Sequence, residues 1–171
     1  MIGPEYCLTM ARYNAWQNKQ VQKSLRGMES AALTEDRGAF FGSILGTLNH
    51  LLWGDALWMS RFDGGEAFGG GIPHSTELTQ TAHDWAVERF RLDSRIILWA
   101  EQLTSVALSG NLTWYSGAIE QDVTRPLVTC VVHMFNHQTH HRGQVHAMLT
   151  AAGVSAPVTD LPFMPQEEPW L

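Results

Sequence analysis

Apolar residues recur at alternating spacings of three and four along residues 76–106, and this seam constrains the fold more than any other feature of the chain. Side chains at such spacings share one face of an α-helix, which packs against neighbouring helices at a shallow angle. The seam is broken once, at Arg89. Its members are Leu78, Ala82, Trp85, Leu92, Ile96, Trp99, Leu103 and Val106. We predict one helix of about 45 Å here, at roughly 1.5 Å per residue.

Three further helices are predicted from apolar periodicity, over residues 4–28, 40–62 and 126–152. Pro4 suits a first helical turn, and the first helix should stop near Gly27. Pro126 should open the last helix, with Thr124 available to cap it. The expected fold class is therefore all-α, a four-helix bundle with long crossover connections.

The connections are distinctive in composition. Residues 62–75 contain five glycines and a proline, which predicts a long crossover loop, mobile and near the site. Ser116-Gly117 is a turn signal flanked by β-forming residues, which indicates a short hairpin before the last helix. With 171 residues, we expect a single domain over residues 1–171.

Charge and cysteine content exclude several classes of protein. The net charge is −6 and there are only two lysines, so an electrostatic platform for nucleic acid is not expected. No apolar run is long enough to span a bilayer, and the N-terminus lacks the basic region of a secretory signal. We expect a cytoplasmic protein whose two cysteines, Cys7 and Cys130, are buried free thiols.

Two opposite charges fall on apolar faces. Asp55 lies near the centre of the apolar face of the second helix, and Arg142 lies inside the apolar arc of the last. A buried carboxylate needs a partner or a raised pKa. We therefore predict a buried Asp55–Arg142 pair. Arg89 within the seam is either a substrate-binding group or a side chain that reaches out to solvent.

Residues 130–148 hold five of the eight histidines and no proline. His133/His137 and His137/His141 are both four apart, so each pair lies on one helix face and can reach one metal ion. On a helical wheel His137 and His141 lie at the edge of the apolar arc, whereas His133 and His140 lie further toward solvent. The wheel favours His137 and His141 as ligands. The alternative is that these histidines are only solvated.

His50 lies on a different kind of face, made of small residues on the second helix. The small residues are Ser43, Gly46, Thr47 and Gly54. A neighbouring helix can approach closely at such a face, or a cleft can open there. Spacing alone does not make His50 a ligand, and it could equally be an exposed histidine.

The motifs L-N-H-L-L-W, around His50, and F-N-H-Q-T-H-H-R-G-Q, around His137 and His141, resemble the DinB/YfiT-like family. The resemblance covers nearly the whole chain. It implies a four-helix bundle, a homodimer, and a divalent metal held by His50, His137 and His141. The choice of His50 comes from the family pattern. Some family members use the metal to activate a low-molecular-weight thiol, and the family is associated with DNA-damage induction.

The predicted function is a metal-dependent enzyme that activates a thiol or water, of the S-transferase or isomerase type, acting on a small-molecule substrate. Zinc or nickel is the expected metal, with a low-molecular-weight thiol as co-substrate. The alternatives are a metal-dependent hydrolase, a non-catalytic metal-binding protein of the stress or damage response, and a bundle with incidental histidines. No general base or catalytic residue can be assigned. Candidates to orient the ligands are Asn49, Asn136 and Gln144, and Cys130 is a candidate fourth ligand.

Overall fold

The computed structural model describes residues 2–167 and 169–171, and it is mainly helical, as predicted. The long helices are α1 (Pro4–Leu25), α3 (Ile44–Asp63), α4 (Ala82–Gln102) and α6 (Leu127–Ala151). The connections contain the short helices α2 (Ser30–Thr34) and α5 (Ser105–Leu108) and the 3₁₀ helices Ile72–Glu77 and Leu161–Phe163. A two-stranded sheet, β1 (Asn111–Ser116) and β2 (Gln121–Pro126), precedes α6.

The long helices pack around one apolar core. Helix α1 packs on α4, α4 on α3, α3 on α6, and α6 on α1. The largest fully buried apolar side chains of this core are Trp85, Phe135, Ile44, Leu48, Leu52, Met59, Ile96, Met134 and Leu149. Within the described residues, none of the helices has the combination of length and apolar character that crossing a membrane requires.

Helices α3 and α4 are shorter than the periodicity predicted, because polar N-cap residues make both begin later in the chain. The hydroxyl of Ser43 accepts a hydrogen bond from the amide of Gly46, so α3 begins after residues 40–43. The hydroxyl of Thr81 accepts one from the amide of Asp84 in the same way at the start of α4. The backbone of Leu103 is extended, and the chain then restarts as α5. The predicted seam thus continues past both ends of α4, into the 3₁₀ helix Ile72–Glu77 before it and α5 after it, so one long helix is not formed.

The hairpin before α6 is confirmed, with β1 and β2 antiparallel and Asn111 paired with Pro126. Pro126 belongs to β2 and stands immediately outside α6, which begins at Leu127. No side chain caps this end, so the predicted role of Thr124 is wrong. The hydroxyl of Thr124 instead lies 2.8 Å from that of Thr113 across the hairpin.

A network of charged and amide side chains lies inside the apolar core and joins the long helices. Arg89 of α4 lies 2.6 Å from Oδ2 of Asp55 on α3 and 2.8 Å from Oδ1 of Asp93 on its own helix. From α1, Asn14 and Asn18 donate hydrogen bonds of 3.0 and 3.0–3.1 Å to the carboxylate of Asp93. Charges this deep are tolerated only when they are paired and hydrogen-bonded.

The predicted Asp55–Arg142 pair is wrong, because Arg89 takes the position beside Asp55. Arg142 is buried nearby and donates a hydrogen bond to Oδ1 of Asn14. Arg89 does not reach out to solvent, since it is only 3% exposed. Burial raises the pKa of Asp55, with Arg89 opposing the shift, and burial raises that of Asp93 to about 6.

The Asp55–Arg89 pair should show strong energetic coupling. Removing one member of a buried ion pair leaves the other charge uncompensated, at a cost of about 3–5 kcal/mol. We expect Asp55→Asn and Arg89→Gln each to lower the free energy of unfolding by about that amount, and the double variant to lose much less than the sum. Urea denaturation of the four proteins measures the coupling.

The exposed pair Arg91–Glu88, with an N–O distance of 2.6 Å, is the matched control. Its coupling should stay below about 0.5 kcal/mol, because solvent screens both charges. Additive effects at Asp55 and Arg89 would show that the ion pair contributes no stability of its own.

Candidate metal centre

The structure brings His50, His137 and His141 together, with one ligand nitrogen of each within 4.8 Å of the others. His50 projects from α3, and the other two project from successive turns of α6. Nε2 of His50 lies 3.2 Å from Nε2 of His137, and the ring centroids of His137 and His141 are 4.5 Å apart. We call these three side chains the histidine triad.

Close approach of α3 and α6 depends on the small-residue face of α3. A methyl group at Gly54 would lie 3.0 Å from Cε1 of His137 and 3.5 Å from its Nδ1. The ring of His137 therefore occupies the space that any larger residue at position 54 would fill. Of the two sequence-based expectations for this face, close packing of a neighbouring helix is the one observed.

The tautomer of His50 follows from its hydrogen bonds. The hydroxyl of Ser75 donates to the carbonyl of Ile72, at 2.7 Å, so its oxygen is left to accept. Nδ1 of His50 lies 2.9 Å from that oxygen and therefore carries the proton. The lone pair of Nε2 is then directed into the triad.

His141 has the same arrangement with a different partner. Its Nδ1 lies 2.7 Å from Oε1 of Gln144, an oxygen that can only accept a hydrogen bond. Nδ1 of His137, in contrast, is buried and finds no partner among the described residues. Two of the three imidazoles are thus oriented by hydrogen bonds, and His137 is held by packing against Gly54.

The environment keeps the triad neutral. Burial lowers the pKa of His50 to about 4, with a smaller contribution from His141. Burial lowers the pKa of His137 to about 3, and the neighbouring histidines lower it further, led by His141. The pKa of His141 is also lowered, chiefly by burial. All three rings are therefore in the unprotonated form that ligates metals at neutral pH.

One side of the triad is covered and the other is open. The ring of Phe41 stacks on His50 with centroids 3.8 Å apart, and it lies 5.2 Å from the ring of His141. His50 and His141 are buried, whereas His137 is only partly buried. His133 and His140, which the wheel directed toward solvent, are indeed exposed. Of the three histidines, His137 is therefore the most exposed to solvent.

Two residues of the site, Phe41 and Ser75, were not predicted. Both lie outside the four long helices. Ser75 lies in the 3₁₀ helix that follows the glycine-rich loop, and Asn49 holds this segment by donating to the carbonyls of Thr76 and Thr79, at 3.0 and 2.9 Å. The expectation that this loop reaches the site is correct for its last residues.

The predicted orienting residues have different outcomes. Gln144 contacts His141 directly, Asn49 acts only through the loop that it anchors, and Asn136 is exposed to solvent. Cys130 is buried elsewhere on α6. Among the described residues, no cysteine or carboxylate joins the triad.

The donor set fits a divalent metal ion. Three neutral imidazoles, two with their outer nitrogens hydrogen-bonded, are typical of metal-ligating histidines. Closed structural zinc sites have four protein ligands and favour cysteine, whereas catalytic sites have three and keep a position open. An all-imidazole set suits zinc, nickel, copper or iron.

Comparison with known proteins agrees with the motifs. The sequence profile of the DinB family matches residues 1–170. Protein DinB of Bacillus subtilis (strain 168) is 25% identical over 161 residues, which covers 91% of each chain. A crystal structure of a DinB-like protein from Bacillus cereus ATCC 10987 has a similar fold, with a TM-score of 0.63, 17% identity, and coverage of 84% of this chain and 90% of that one. Because the profile spans nearly the whole chain, the protein belongs to the DinB family.

Proposed function

We propose that this protein is a metal-dependent enzyme that uses the histidine triad to activate a thiol, in an S-transferase or isomerase type of reaction. Zinc or nickel is the proposed metal, and a low-molecular-weight thiol is the proposed co-substrate. The observation that carries the proposal is the convergence of three neutral imidazoles on one point, two of them fixed by hydrogen bonds from Nδ1 to Ser75 and Gln144.

The residues of the site have different proposed roles. His50, His137 and His141 would hold the metal ion, which when bound acts as a Lewis acid and lowers the pKa of a thiol or water beside it. Ser75 and Gln144 keep the protons of His50 and His141 on Nδ1, away from the ligand nitrogens. Phe41 shields His50 and His141 from water. The exposed edge of His137 leaves the approach for a substrate.

A purely structural metal site is less consistent with this arrangement. Helices α3 and α6 already pack through the apolar core, without help from the triad. Three protein ligands, with no fourth among the described residues, match the pattern of catalytic sites. The thiol is preferred to water because the resemblance noted above includes thiol-using enzymes.

Metal content of the purified protein and its histidine variants tests the ligand set. We expect about one zinc or nickel ion per chain in the wild type, and loss of most of it in His50→Ala, His137→Ala and His141→Ala, because two imidazoles do not hold a divalent ion as tightly as three. Elemental mass spectrometry on tag-free protein is the measurement.

His140→Ala is the matched control, since His140 adjoins the triad in sequence but is exposed. It should retain the wild-type metal content. Retention of metal by His50→Ala would show that α3 contributes no ligand, and absence of metal in wild type reloaded with zinc or nickel would refute the proposed function.

Ser75→Ala should weaken metal binding without removing a ligand. Loss of the hydroxyl leaves Nδ1 of His50 unpartnered and its ring free to change tautomer. Loss of such an orienting hydrogen bond typically lowers metal affinity by about 10- to 100-fold. Competition with a chromophoric chelator measures the affinity. Ser94→Ala, which removes a hydroxyl bonded only to the carbonyl of Phe90 on α4, should leave it unchanged.

Gly54→Ala should displace His137. The added methyl group would lie 3.0 Å from Cε1 of that ring, and the packed helices leave little room for the ring to shift. We expect metal affinity to fall by about tenfold or more, as for other disturbances of a ligand's orientation. The same chelator competition measures this effect.

Gly143→Ala on α6 controls for the substitution itself, since a methyl group there meets no atom within 4 Å. It should leave metal affinity unchanged and stabilise the protein by about 0.5–1 kcal/mol, the gain in helix propensity. If Gly54→Ala binds metal as tightly as the wild type, the close contact with His137 does not position the ligand.

A further inference from the structure

Beyond the triad, toward the hairpin, α3 and α6 carry a cluster of aromatic side chains and a guanidinium group. The ring of Trp58 on α3 lies 5.0 Å from the ring of His133 on α6. One turn further along α3, the guanidinium of Arg61 lies 4.6 Å from the centroid of Trp58 and 5.2 Å from that of Trp114 on β1. We call Trp58, Arg61, Trp114 and His133 the hairpin subsite.

This subsite adjoins the triad directly. His133 precedes His137 by one helical turn, and their ring centroids are 5.9 Å apart. On α3, Gly54 faces His137 and Arg61 follows seven residues later. At about 1.5 Å per residue, Arg61 therefore lies roughly 10 Å along α3 from Gly54, the residue that contacts His137 of the triad. The subsite is on the open side, where His137 is partly exposed and His133 is exposed.

The charge of Arg61 is not neutralised by any described carboxylate. Five other arginines form ion pairs with Asp or Glu side chains, namely Arg12, Arg37, Arg89, Arg91 and Arg95. The nearest acid along α3, Asp63, is taken by Arg95 through hydrogen bonds of 2.8 and 2.6 Å. Arg61 makes contacts with two aromatic rings and, within the described residues, has no hydrogen bond to an acceptor.

Two indole rings hold a guanidinium in one orientation while leaving its N–H groups free to donate. Such a pre-oriented planar group matches a carboxylate, which accepts two parallel hydrogen bonds from it.

We propose that the hairpin subsite binds the carboxylate of a substrate whose reactive sulfur lies at the triad, about 10 Å away along α3. Arg61 donates to the carboxylate, and Trp58 and Trp114 orient Arg61. The substrate class is therefore an anionic thiol of dipeptide to tripeptide length. This inference rests on the proposed function, because it assigns the other end of the same substrate.

A pair of synthetic thiols tests the subsite. Mercaptoacetyl-diglycine spans about 10 Å from sulfur to carboxylate when extended, and its C-terminal amide has the same length without the charge. We expect zinc-loaded wild type to bind the acid about tenfold more tightly than the amide, equivalent to about 1.4 kcal/mol. In Arg61→Gln the two should bind equally, at the affinity of the amide for the wild type. Isothermal titration calorimetry measures all four values.

Two variants control the interpretation. Arg61→Lys keeps the charge and should retain part of the preference for the acid. Arg26→Gln removes an exposed charge at the end of α1 and should retain all of it. A wild type that does not prefer the acid, or a preference that survives in Arg61→Gln, overturns the proposal and leaves Arg61 as a stacked surface residue.

The carboxylate subsite and the metal site can be tested separately. With the sulfur methylated, the same acid can be titrated into metal-free protein, where tryptophan fluorescence should change in wild type but not in Arg61→Gln. That result supports the subsite even if the protein holds no metal. Zinc-loaded protein that binds acid and amide equally would uphold thiol binding and refute the carboxylate subsite.

Discussion

The buried network around Asp55, Arg89 and Asp93 fixes how the helices face one another. Apolar packing alone tolerates small rotations of a helix, whereas a buried charge loses several kcal/mol if its partner moves away. Here α3 supplies Asp55, α4 supplies Arg89 and Asp93, and α1 supplies the amides that bind Asp93. Arg142 of α6 joins through Asn14. Each long helix is thereby held at one rotation about its own axis.

This rotation determines where the triad points. On α6, each triad histidine is followed directly by a buried polar residue, Gln138 after His137 and Arg142 after His141. Successive helical residues point about 100° apart, so fixing Arg142 toward the core directs His141 toward α3. The same logic applies to α3, where Asp55 faces inward and its neighbour Gly54 faces His137. The rotation of each helix that forms the buried network therefore also places the histidine triad.

The sequence predicted those parts of the protein that depend on helical periodicity. The wheel selected His137 and His141 over His133 and His140, and the structure places each pair as expected. His50 required the family pattern, because a lone histidine on a small-residue face carries no periodic signal. Phe41 and Ser75 belong to the segments that connect the long helices, and the positions of these segments depend on contacts such as that of Asn49 with Thr76. The homodimer and the single-domain organisation stay predictions.

The partner of Asp55 could not be chosen from the sequence for a related reason. Arg89 and Arg142 both interrupt apolar stripes. Periodicity predicts that each is buried, but it does not indicate which of the two lies nearer to Asp55. The distance depends on which helices are neighbours: Asp55 lies on α3, which packs on both α4 and α6. A sequence pattern gives the face of a residue, and the arrangement of the helices gives its partner.

The two sides of α6 also have different electrostatic surroundings. Toward the core, two aspartates and two arginines compensate one another, so the network adds no net charge. On the side of the triad, no carboxylate among the described residues joins the three histidines. The guanidinium of Arg61 adds positive charge there. The net charge of −6 is thus carried elsewhere on the chain. A divalent ion on three neutral ligands keeps its full charge, so this side of the protein would favour anions. A molecule with a thiolate at one end and a carboxylate at the other would place one negative charge beside the metal ion and one beside Arg61.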